Sequence, residues 1–324
     1  MSIRVGIVGF GNLGRGVETS IALQPDMELV GVFTRRDPAA VATGGAAVFA
    51  LEALADYRDT IDVLVLCGGS KSDLPEQSPE LAAQFTIVDS FDTHARIPEH
   101  FAAVDASART AGTTAVISTG WDPGLFSINR LYGEAILPQG ATYTFWGRGL
   151  SQGHSDALRR VPGVAGAVQY TIPASEAIER VRAGEQPELT TREKHDRQCF
   201  VVLEDGADAQ EVREAIVTMP DYFEPYATTV TFITAEELAR DHRGMPHGGF
   251  VIRSGESSPG VTQTVEYRLQ LDSNPEFTSS VLVAYARAAA RLAAAGDYGA
   301  KTPFDIAPGL LSPKTAAELR TELL

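Results

Sequence analysis

The sequence predicts an α/β fold in which a doubly wound parallel sheet is followed by a second, α+β domain. Two observations predict it. Over about the first 120 residues, short apolar runs alternate with helical patterns, as in parallel sheets that are buried on both faces. After about residue 140, the strand-like runs alternate polar and apolar residues, as in TQTVEYRLQL at 262–271. That alternation is typical of an open, mainly antiparallel sheet with one solvated face.

The first strand–helix–strand unit contains a glycine-rich turn. The apolar run 3–8 leads into Gly9-Phe10-Gly11-Asn12-Leu13-Gly14, and a helical pattern then connects to a second apolar run at 29–33. In this setting one glycine allows the tight turn, one lets the backbone approach a pyrophosphate, and one lets helix and strand pack closely. The unit predicts a Rossmann-type dinucleotide site at the helix N-terminus, although the same glycines could form a turn without a ligand.

The end of the second strand indicates which dinucleotide is bound. Many NAD-binding chains place a carboxylate there for the ribose 2′-hydroxyl, whereas this chain has Thr34, Arg35 and Arg36. Two guanidiniums and a hydroxyl suit a 2′-phosphate, which a carboxylate would repel. NADP(H) is therefore favoured. Asp37 is the competing ribose ligand, but it follows the arginines and could instead cap the next turn.

Three further strands of the first domain each end in a polar loop. They span 61–67, 85–89 and 114–119. Because ligands collect at the carboxyl ends of such strands, the loops that follow should lie on one rim beside the glycine turn. The cofactor-binding residues predicted in these loops are Cys67, Gly68, Gly69, Ser70, Lys71, Ser90, Phe91, Asp92, Thr119, Gly120, Trp121, Asp122, Pro123 and Gly124.

The remaining pattern places a first domain at 1–120 and a second at 121–299, with the segment from about 300 to 324 a candidate to return to the first. A long helix is predicted at 274–295, and a short one follows Pro313. The second domain has strand-like runs at 141–146, 168–172, 198–203, 228–233, 250–253 and 262–271, and helical patterns at 175–183, 209–219 and 235–241.

Composition excludes several classes of function. The formal net charge is -15, which makes a nucleic-acid or anionic-membrane partner improbable. The two cysteines, Cys67 and Cys199, form no CxxC pair, and His154 and His195 have no partner at ligand spacing, so neither a disulfide framework nor a metal site is indicated. With no apolar run of membrane length and no leader-like start, we expect a cytoplasmic protein.

Two acidic residues at strand ends are the candidates for chemistry. Asp92 could be only a turn former, and Asp122 before Pro123 could be only a helix N-cap, with proline at the first helical position. Taken together, two carboxylates beside a nicotinamide could hold a substrate ammonium group and shape the path of its proton.

The second domain supplies candidate anion receptors. The glycine-rich loop 147–160 enters a helix whose N-terminus could bind a carboxylate, and His154 within it is either catalytic or a residue of the first turn. Arg197 and His247 are cationic candidates, His247 with a plain turn as the alternative. Asn274 before Pro275 reads equally as an N-cap or a ligand. By pattern alone, Thr171 is an ordinary strand residue, Trp146 is core, and Arg159 and Arg160 face solvent or a subunit interface.

Several of these blocks together resemble the meso-diaminopimelate dehydrogenase family. They are GFGNLGR at 9–15, TRR at 34–36, STGWDPG at 118–124, FSINR at 126–130, LSQGHSDALRR at 150–160, RQCF at 197–200 and GMPHGG at 244–249. The match runs in register along nearly the whole chain, and the 118–124 and 150–160 blocks are far more specific than the glycine turn.

The resemblance implies NADP-dependent, reversible oxidative deamination of meso-2,6-diaminopimelate at its D-centre. The products are L-2-amino-6-oxopimelate, ammonia and NADPH, and the reductive direction serves diaminopimelate and lysine biosynthesis. It also implies a homodimer whose second domain binds substrate and pairs subunits. Two alternatives are a non-catalytic NADPH-binding sensor on the same fold and a reductase of the same route, neither of which needs two amino-acid receptors.

The resemblance also assigns substrate contacts. Asp92 and Asp122 would hold the D-centre amino group, Trp146, Gln152 and Gly153 would frame that end, and Thr171, Arg197, His247 and Asn274 would grip the distal L-centre. One departure is that family members often carry a bulkier residue at the position of Gly68 and a small or acidic one near Lys71, which bears on coenzyme affinity.

Overall fold

The computed structural model describes residues 2–324, which divide into two compact units. One comprises the chain up to residue 128 together with 275–324, and the other comprises 129–274. Within the described range, no helix combines the length and apolar character that a bilayer crossing requires.

The strands, in chain order, are β1 (Ile3–Val8), β2 (Met27–Thr34), β3 (Val48–Ala50), β4 (Val63–Leu66), β5 (Ile87–Asp89), β6 (Thr114–Val116), β7 (Gln139–Trp146), β8 (Gly149–Leu150), β9 (Val164–Pro173), β10 (His195–Leu203), β11 (Ala227–Phe232), β12 (His247–Ser258), β13 (Val261–Leu271) and β14 (Gly299–Lys301). The α-helices are α1 (Asn12–Ala22), α2 (Leu74–Ala82), α3 (Ile97–Ala111), α4 (Leu125–Ile136), α5 (Gln152–Arg159), α6 (Ser175–Arg182), α7 (Thr191–Lys194), α8 (Ala209–Val217), α9 (Ala235–Asp241), α10 (Asn274–Ala294) and α11 (Ala316–Leu323).

The first unit is a seven-stranded sheet in the order β14-β6-β5-β4-β1-β2-β3, with every pair parallel. Successive residues of β1 are buried on opposite faces: Val5 and Ile7 belong to one core cluster and Val8 to the other. Apolar runs without alternation form such strands because helices cover both faces. The predicted doubly wound parallel sheet is confirmed.

The long helix α10 lies in the first unit, whereas the sequence placed it in the second. Leu282, Val283 and Tyr285 are buried in the same core cluster as Val5 and Ile7 of β1. Strand β14 then pairs with β6. The return to the first unit therefore begins at about residue 275 rather than 300. Amphipathic spacing shows that a helix buries one face, but not which element covers that face.

The second unit contains all six strands and the three helices predicted between residues 141 and 271, and its strands are divided between two sheets. The four-stranded sheet has the order β11-β10-β9-β8, in which only β10 and β11 are parallel. The three-stranded sheet, β13-β12-β7, is wholly antiparallel. The predicted α+β unit with mainly antiparallel pairing is thus confirmed, although its strands do not form a single sheet.

Candidate active site

The glycine turn between β1 and α1 has the shape that a dinucleotide requires. Gly9 has φ +88°, a left-handed conformation that side chains disfavour. A Cβ on Gly14 would lie 2.4 Å from the Gly9 carbonyl oxygen, so helix and turn pack too closely for any side chain. A Cβ on Gly11 would meet nothing within 4 Å, which leaves the N-terminus of α1 open to a ligand. These three conditions fit a bound pyrophosphate.

The arginine pair after β2 is organised around this turn. The Arg36 guanidinium donates to the Phe10 carbonyl oxygen at 2.5 Å, and the Arg36 amide donates to Thr34 Oγ1 at 3.1 Å. Asp37 instead caps a 3₁₀ helix, since its carboxylate accepts from the Ala39 amide at 3.0 Å. The competing ribose-ligand role of Asp37 is therefore not the one this geometry favours.

Arg35 has a partner that sequence reasoning missed. Its guanidinium lies 2.6 Å from Asp73 Oδ1, while Asp73 Oδ2 accepts from the Gly69 amide at 2.7 Å. The Gly69 hydrogen bond, followed by the Arg35 charge, holds the pKa of Asp73 below its ordinary value. This ion pair is exposed, because 66% of the Arg35 side chain is accessible.

A cavity of about 240 Å³ lies among these groups. Its wall contains nine predicted cofactor residues and five others. The predicted ones are Gly9, Phe10, Gly11, Thr34, Arg35, Arg36, Cys67, Gly68 and Gly69, and the others are Val8, Phe33, Leu51, Asp73 and Gln77. Asn12, Leu13, Gly14, Ser70, Lys71 and the predicted residues after β5 and β6 do not line this cavity.

The loop after β5 is joined to the loop after β4. The Asp92 amide donates to Ser70 Oγ at 2.9 Å. Asp92 is exposed, and its carboxylate makes no hydrogen bond to any residue from 2 to 324, so the turn-former alternative is not supported. Asp89, three residues earlier, forms the turn by accepting from the Phe91 amide at 3.0 Å.

Asp89 is a fully buried carboxylate with four donors, and no sequence pattern predicted its role. Besides the Phe91 amide, it accepts from Ser78 Oγ at 2.7 Å, His100 Nε2 at 2.8 Å and the Ser118 amide at 2.9 Å. The Asp89 carbonyl oxygen also accepts from the Thr119 amide and hydroxyl. One residue thus ties together the loops that carry Asp92 and Asp122.

The loop that carries Asp122 depends on its glycines. Gly124 has φ +128°, and a Cβ there would lie 1.9 Å from the Gly120 carbonyl oxygen. Helix α4 begins at Leu125, whose amide bonds to Gly120, so the N-cap position falls after Pro123. Pro123 therefore does not occupy the first helical position, as the N-cap interpretation of Asp122 expected.

In the second unit, sheet register brings the predicted distal contacts together. Arg197 of β10 is paired with Thr171 of β9, and Thr171 is paired in turn with Gly149 of β8. The Arg197 guanidinium donates to Thr171 Oγ1. A Cβ on Gly149 would lie 2.5 Å from the His247 ring, so only glycine lets that ring pack against the strand.

Arg197 is a buried cation without a carboxylate. It is 6% exposed, its Cζ lies 3.8 Å from the centre of the Tyr226 ring, and its Nε has no hydrogen-bond partner in the described chain. Desolvation lowers the pKa of Arg197 from its ordinary value. A buried charge normally has an ionic partner, because removal from water is costly. The guanidinium is therefore able to receive an anion.

The other predicted contacts of this unit meet around Met245. The Asn274 amide donates to the Met245 carbonyl oxygen at 2.9 Å, and Gln152 Nε2 lies 3.2 Å from its sulfur. Asn274 opens α10, and Ser151 caps α5. A Cβ on Gly153 would meet nothing within 4 Å, so the first turn of α5 is open.

Trp146 lies at the surface of its unit with 38% of its area accessible, so its assignment to the core was wrong. Its amide donates to His195 Nε2 at 2.8 Å, and the two rings stack at 5.4 Å. Burial, with a contribution from Arg197, lowers the pKa of His195 to about 4, so the ring is neutral and accepts this bond near neutral pH. His195 was not predicted to have this role.

His154 is also kept neutral. Burial, followed by the charge of Arg197, lowers its pKa to about 4. Its Nδ1 lies 2.9 Å from Ser151 Oγ, the group that caps α5, and its ring contacts Tyr222 and Phe223 edge-on. These contacts favour the first-turn reading over a catalytic one. Arg159 donates to the Ala167 carbonyl oxygen at 2.8 Å rather than facing solvent alone.

Comparisons with known proteins agree with one another. A family model described as the diaminopimelic acid dehydrogenase C-terminal domain matches residues 120–273. A meso-diaminopimelate D-dehydrogenase of Lysinibacillus sphaericus is 65% identical over 324 residues, which is 100% of this chain and 99% of that protein. The solved C. glutamicum DAP dehydrogenase in complex with DAP matches with TM-score 0.92 at 50% identity, covering 100% of this chain and 99% of the other. An engineered D-amino acid dehydrogenase bound to NADP+ matches with TM-score 0.87 at 48% identity, over 100% of each chain.

Proposed function

The chain belongs to the meso-diaminopimelate dehydrogenase family, and from that membership we propose that it catalyses reversible oxidative deamination of meso-2,6-diaminopimelate at the D-centre. Diaminopimelate, water and NADP+ give L-2-amino-6-oxopimelate, ammonium, NADPH and a proton. Run in reverse, the reaction captures ammonia for diaminopimelate and lysine biosynthesis. When bound, NADP+ supplies the hydride acceptor, and the protein supplies binding, orientation and charge.

The observation that carries this proposal is the buried, carboxylate-free guanidinium of Arg197. A diaminopimelate molecule has two amino-acid heads, so its site needs a receptor for a carboxylate far from the reacting carbon. Arg197, Thr171 and His247, with Asn274, would hold the distal L-centre. Gripping that head fixes which centre reacts, because orientation rather than affinity decides which carbon faces the cofactor. Neither the sensor nor the reductase alternative accounts for this receptor.

The reacting head would be held by two sets of residues. Asp92 and Asp122, which follow the neighbouring strands β5 and β6, would bind the D-centre ammonium group and take up its proton. Trp146, Gln152 and Gly153 would frame that end, and the open first turn of α5 would accept its carboxylate. The exposed, unbonded carboxylate of Asp92 supports its availability for this task.

We also propose that the protein is a homodimer that works in the cytoplasm without a nucleic-acid or membrane partner. The net charge of -15 supports the absence of polyanionic partners. Both cysteines are free thiols, which suits a reducing compartment.

The activity is tested by mixing the protein with NADP+ and meso-diaminopimelate at alkaline pH and following the absorbance of reduced nicotinamide. We expect reduction that depends on both substrates and releases one ammonia per NADPH. No reduction with meso-diaminopimelate, together with turnover of a different amino acid, would reject the substrate assignment.

The role of Asp122 is tested with Asp122→Asn. Loss of the carboxylate should lower kcat by about 10²–10⁴-fold, the usual range for a group that handles a proton, with little change in melting temperature. A variant whose melting temperature falls while its kcat stays near that of the parent would show that Asp122 serves the loop rather than the reaction.

A further inference from the structure

Gln77 carries a polar atom whose partner is missing from the protein. It lies on α2, with its side-chain oxygen Oε1 buried and without a hydrogen-bond partner among residues 2–324. Buried acceptors are normally paired, and an unpaired one in a native structure points to a ligand or another unseen partner. Gln77 lines the cavity that contains the glycine turn and the arginine pair.

The position of Gln77 in that cavity identifies the part of the cofactor it would meet. The pyrophosphate belongs on the glycine turn, and the 2′-phosphate belongs beside Thr34, Arg35 and Arg36. The ribose that carries this phosphate also carries the adenine. The base therefore extends to the remaining wall, where the apolar side chains of Val8, Phe33 and Leu51 join 67–69, Asp73 and Gln77.

Gly68 provides the room that Gln77 occupies. A Cβ on Gly68 would lie 3.0 Å from Gln77 Oε1 and 2.8 Å from Asp73 Cβ. The backbone of Gly68 is not in the left-handed region, so a side chain is disfavoured there by crowding and not by the backbone conformation. The carboxylate on this wall is already used, because Asp73 bonds to Arg35 and to the Gly69 amide.

We propose that Gln77 Oε1 accepts a hydrogen bond from the exocyclic 6-amino group of the adenine of NADP(H), and that this bond makes the chain selective for adenine over a 6-oxo purine. The base has one amino group, and with the Gln77 amide oriented as in the structure a 6-oxo base would place an oxygen against Oε1. The inference rests on the NADP(H) use described above and adds a base-reading residue to it.

The test is equilibrium binding by calorimetry, with NADP+ and with nicotinamide hypoxanthine dinucleotide phosphate, in which a 6-oxo group replaces the 6-amino group. The parent protein should bind NADP+ about tenfold or more tightly than the analogue, the size expected for one buried hydrogen bond. Equal dissociation constants, or tighter binding of the analogue, would overturn the proposal. This arm needs no variant. Failure to bind NADP+ at all would instead reject the cofactor assignment.

Variants then assign the selectivity to Gln77. Gln77→Leu should weaken NADP+ about tenfold and bring the two dissociation constants within about twofold of each other. Gln77→Glu keeps an acceptor and should keep the preference for adenine. Gly68→Ala crowds Oε1 and should reduce the ratio of the dissociation constant of the analogue to that of NADP+. Glu76→Gln, at the exposed neighbouring position on α2, should leave this ratio unchanged. A Gln77→Leu protein that weakens both ligands equally would contradict the proposal.

Discussion

Each unit buries at least two charged side chains. One from each unit, Asp89 of the first and Arg197 of the second, differ in how completely the protein supplies them with hydrogen-bond and charge partners. In the first unit, Asp89 is fully buried and accepts four hydrogen bonds through its carboxylate, from two amides, a serine and a histidine. In the second, Arg197 is buried against an aromatic ring and donates to one threonine, with no carboxylate from the described residues to balance it. The first charge is satisfied by the fold, and the second is not.

This contrast separates structural from functional burial of charge. A buried ion that is fully bonded stabilises the segments that donate to it, and removing it leaves those donors unpaired. A buried ion without a counter-ion costs folding free energy, so its removal should not destabilise the protein. It is, however, already desolvated and oriented for a ligand of opposite charge. Stability and activity should therefore respond in opposite ways to mutation at the two sites.

The largest effect is expected from Arg197→Met. Loss of the guanidinium leaves the distal carboxylate of diaminopimelate without its charge partner, at a cost of about 3–5 kcal/mol. We expect kcat/KM for meso-diaminopimelate to fall by about 10²–10⁴-fold. The urea midpoint should be unchanged or raised, because a buried uncompensated charge has been removed. Arg160→Gln, at the exposed C-cap of α5 in the same unit, is the control and should match the parent in both assays.

A fall of several degrees in melting temperature for Arg197→Met, with kcat/KM near that of the parent, would remove the contrast. It would mean that groups within the folded protein already stabilise the buried guanidinium.

Asp89→Asn should show the opposite pattern. The amide cannot accept from all four donors, so we expect a loss of about 3 kcal/mol in the free energy of unfolding, measured in urea. The His100 ring stacks on Phe91 with the ring centres 4.1 Å apart. His100→Phe keeps this stacking and removes one donor to Asp89, so the free energy of unfolding should fall by only about 1 kcal/mol. The kcat of the folded protein should stay within about tenfold of the parent for both. If Asp89→Asn unfolds at the parental urea concentration, the four hydrogen bonds do not stabilise the unit.

The same contrast explains what the sequence could and could not predict. The glycine turn and the arginine pair are local patterns, and the structure places both where they were expected. Asp89 and Asp92 are hard to tell apart by sequence, since Asp89 is the last residue of β5 and Asp92 follows it by three residues. What distinguishes them is a set of donors at residues 78, 100 and 118, which come together only in the folded unit.

Trp146 was misplaced although a signal was present. Tyr143 and Phe145 are buried in the same cluster, so strict alternation along β7 puts Trp146 on the opposite side from Phe145. The unpaired state of Arg197 had no such signal, because a strand sequence does not show whether a carboxylate lies opposite. The resemblance to the family, rather than any pattern, brought Thr171 and Arg197 together in advance.

A smaller effect comes from protons and concerns the second unit, where His154 and His195 have pKa values of about 4 against an ordinary 6.5. The unfolded chain takes up these protons near pH 6.5, whereas the folded chain does so only near pH 4. Stability should be highest above pH 6.5 and should fall by up to about 1.4 kcal/mol per pH unit for each histidine as the pH drops toward 4.

Urea midpoints at about pH 7.5 and 5.5 measure this dependence. His195→Gln, whose amide oxygen still accepts from the Trp146 backbone, should reduce the slope by roughly half. Exposed His94→Gln is the matched control and should not change it. An unaltered slope in His195→Gln would show that this ring is not held neutral by burial.

The smallest effect should come from Arg35 and Asp73, an exposed ion pair in which each charge has a partner of opposite sign. Exposed ion pairs contribute about 0–1 kcal/mol, so Asp73→Asn should barely change stability, and its amide oxygen can still accept from the Gly69 amide. It removes a negative charge beside the proposed 2′-phosphate position and releases Arg35. We expect the dissociation constant of NADP+, measured by calorimetry, to fall by up to about fivefold, and the fall should be larger at low salt. The dissociation constant of NAD+ should not change. Glu80→Gln, an exposed carboxylate of α2 without an ion pair, should leave both constants as they are. Weaker NADP+ binding by Asp73→Asn would instead mean that the aspartate holds Arg35 in its binding orientation, so that even the exposed pair is organised by the fold before the cofactor arrives.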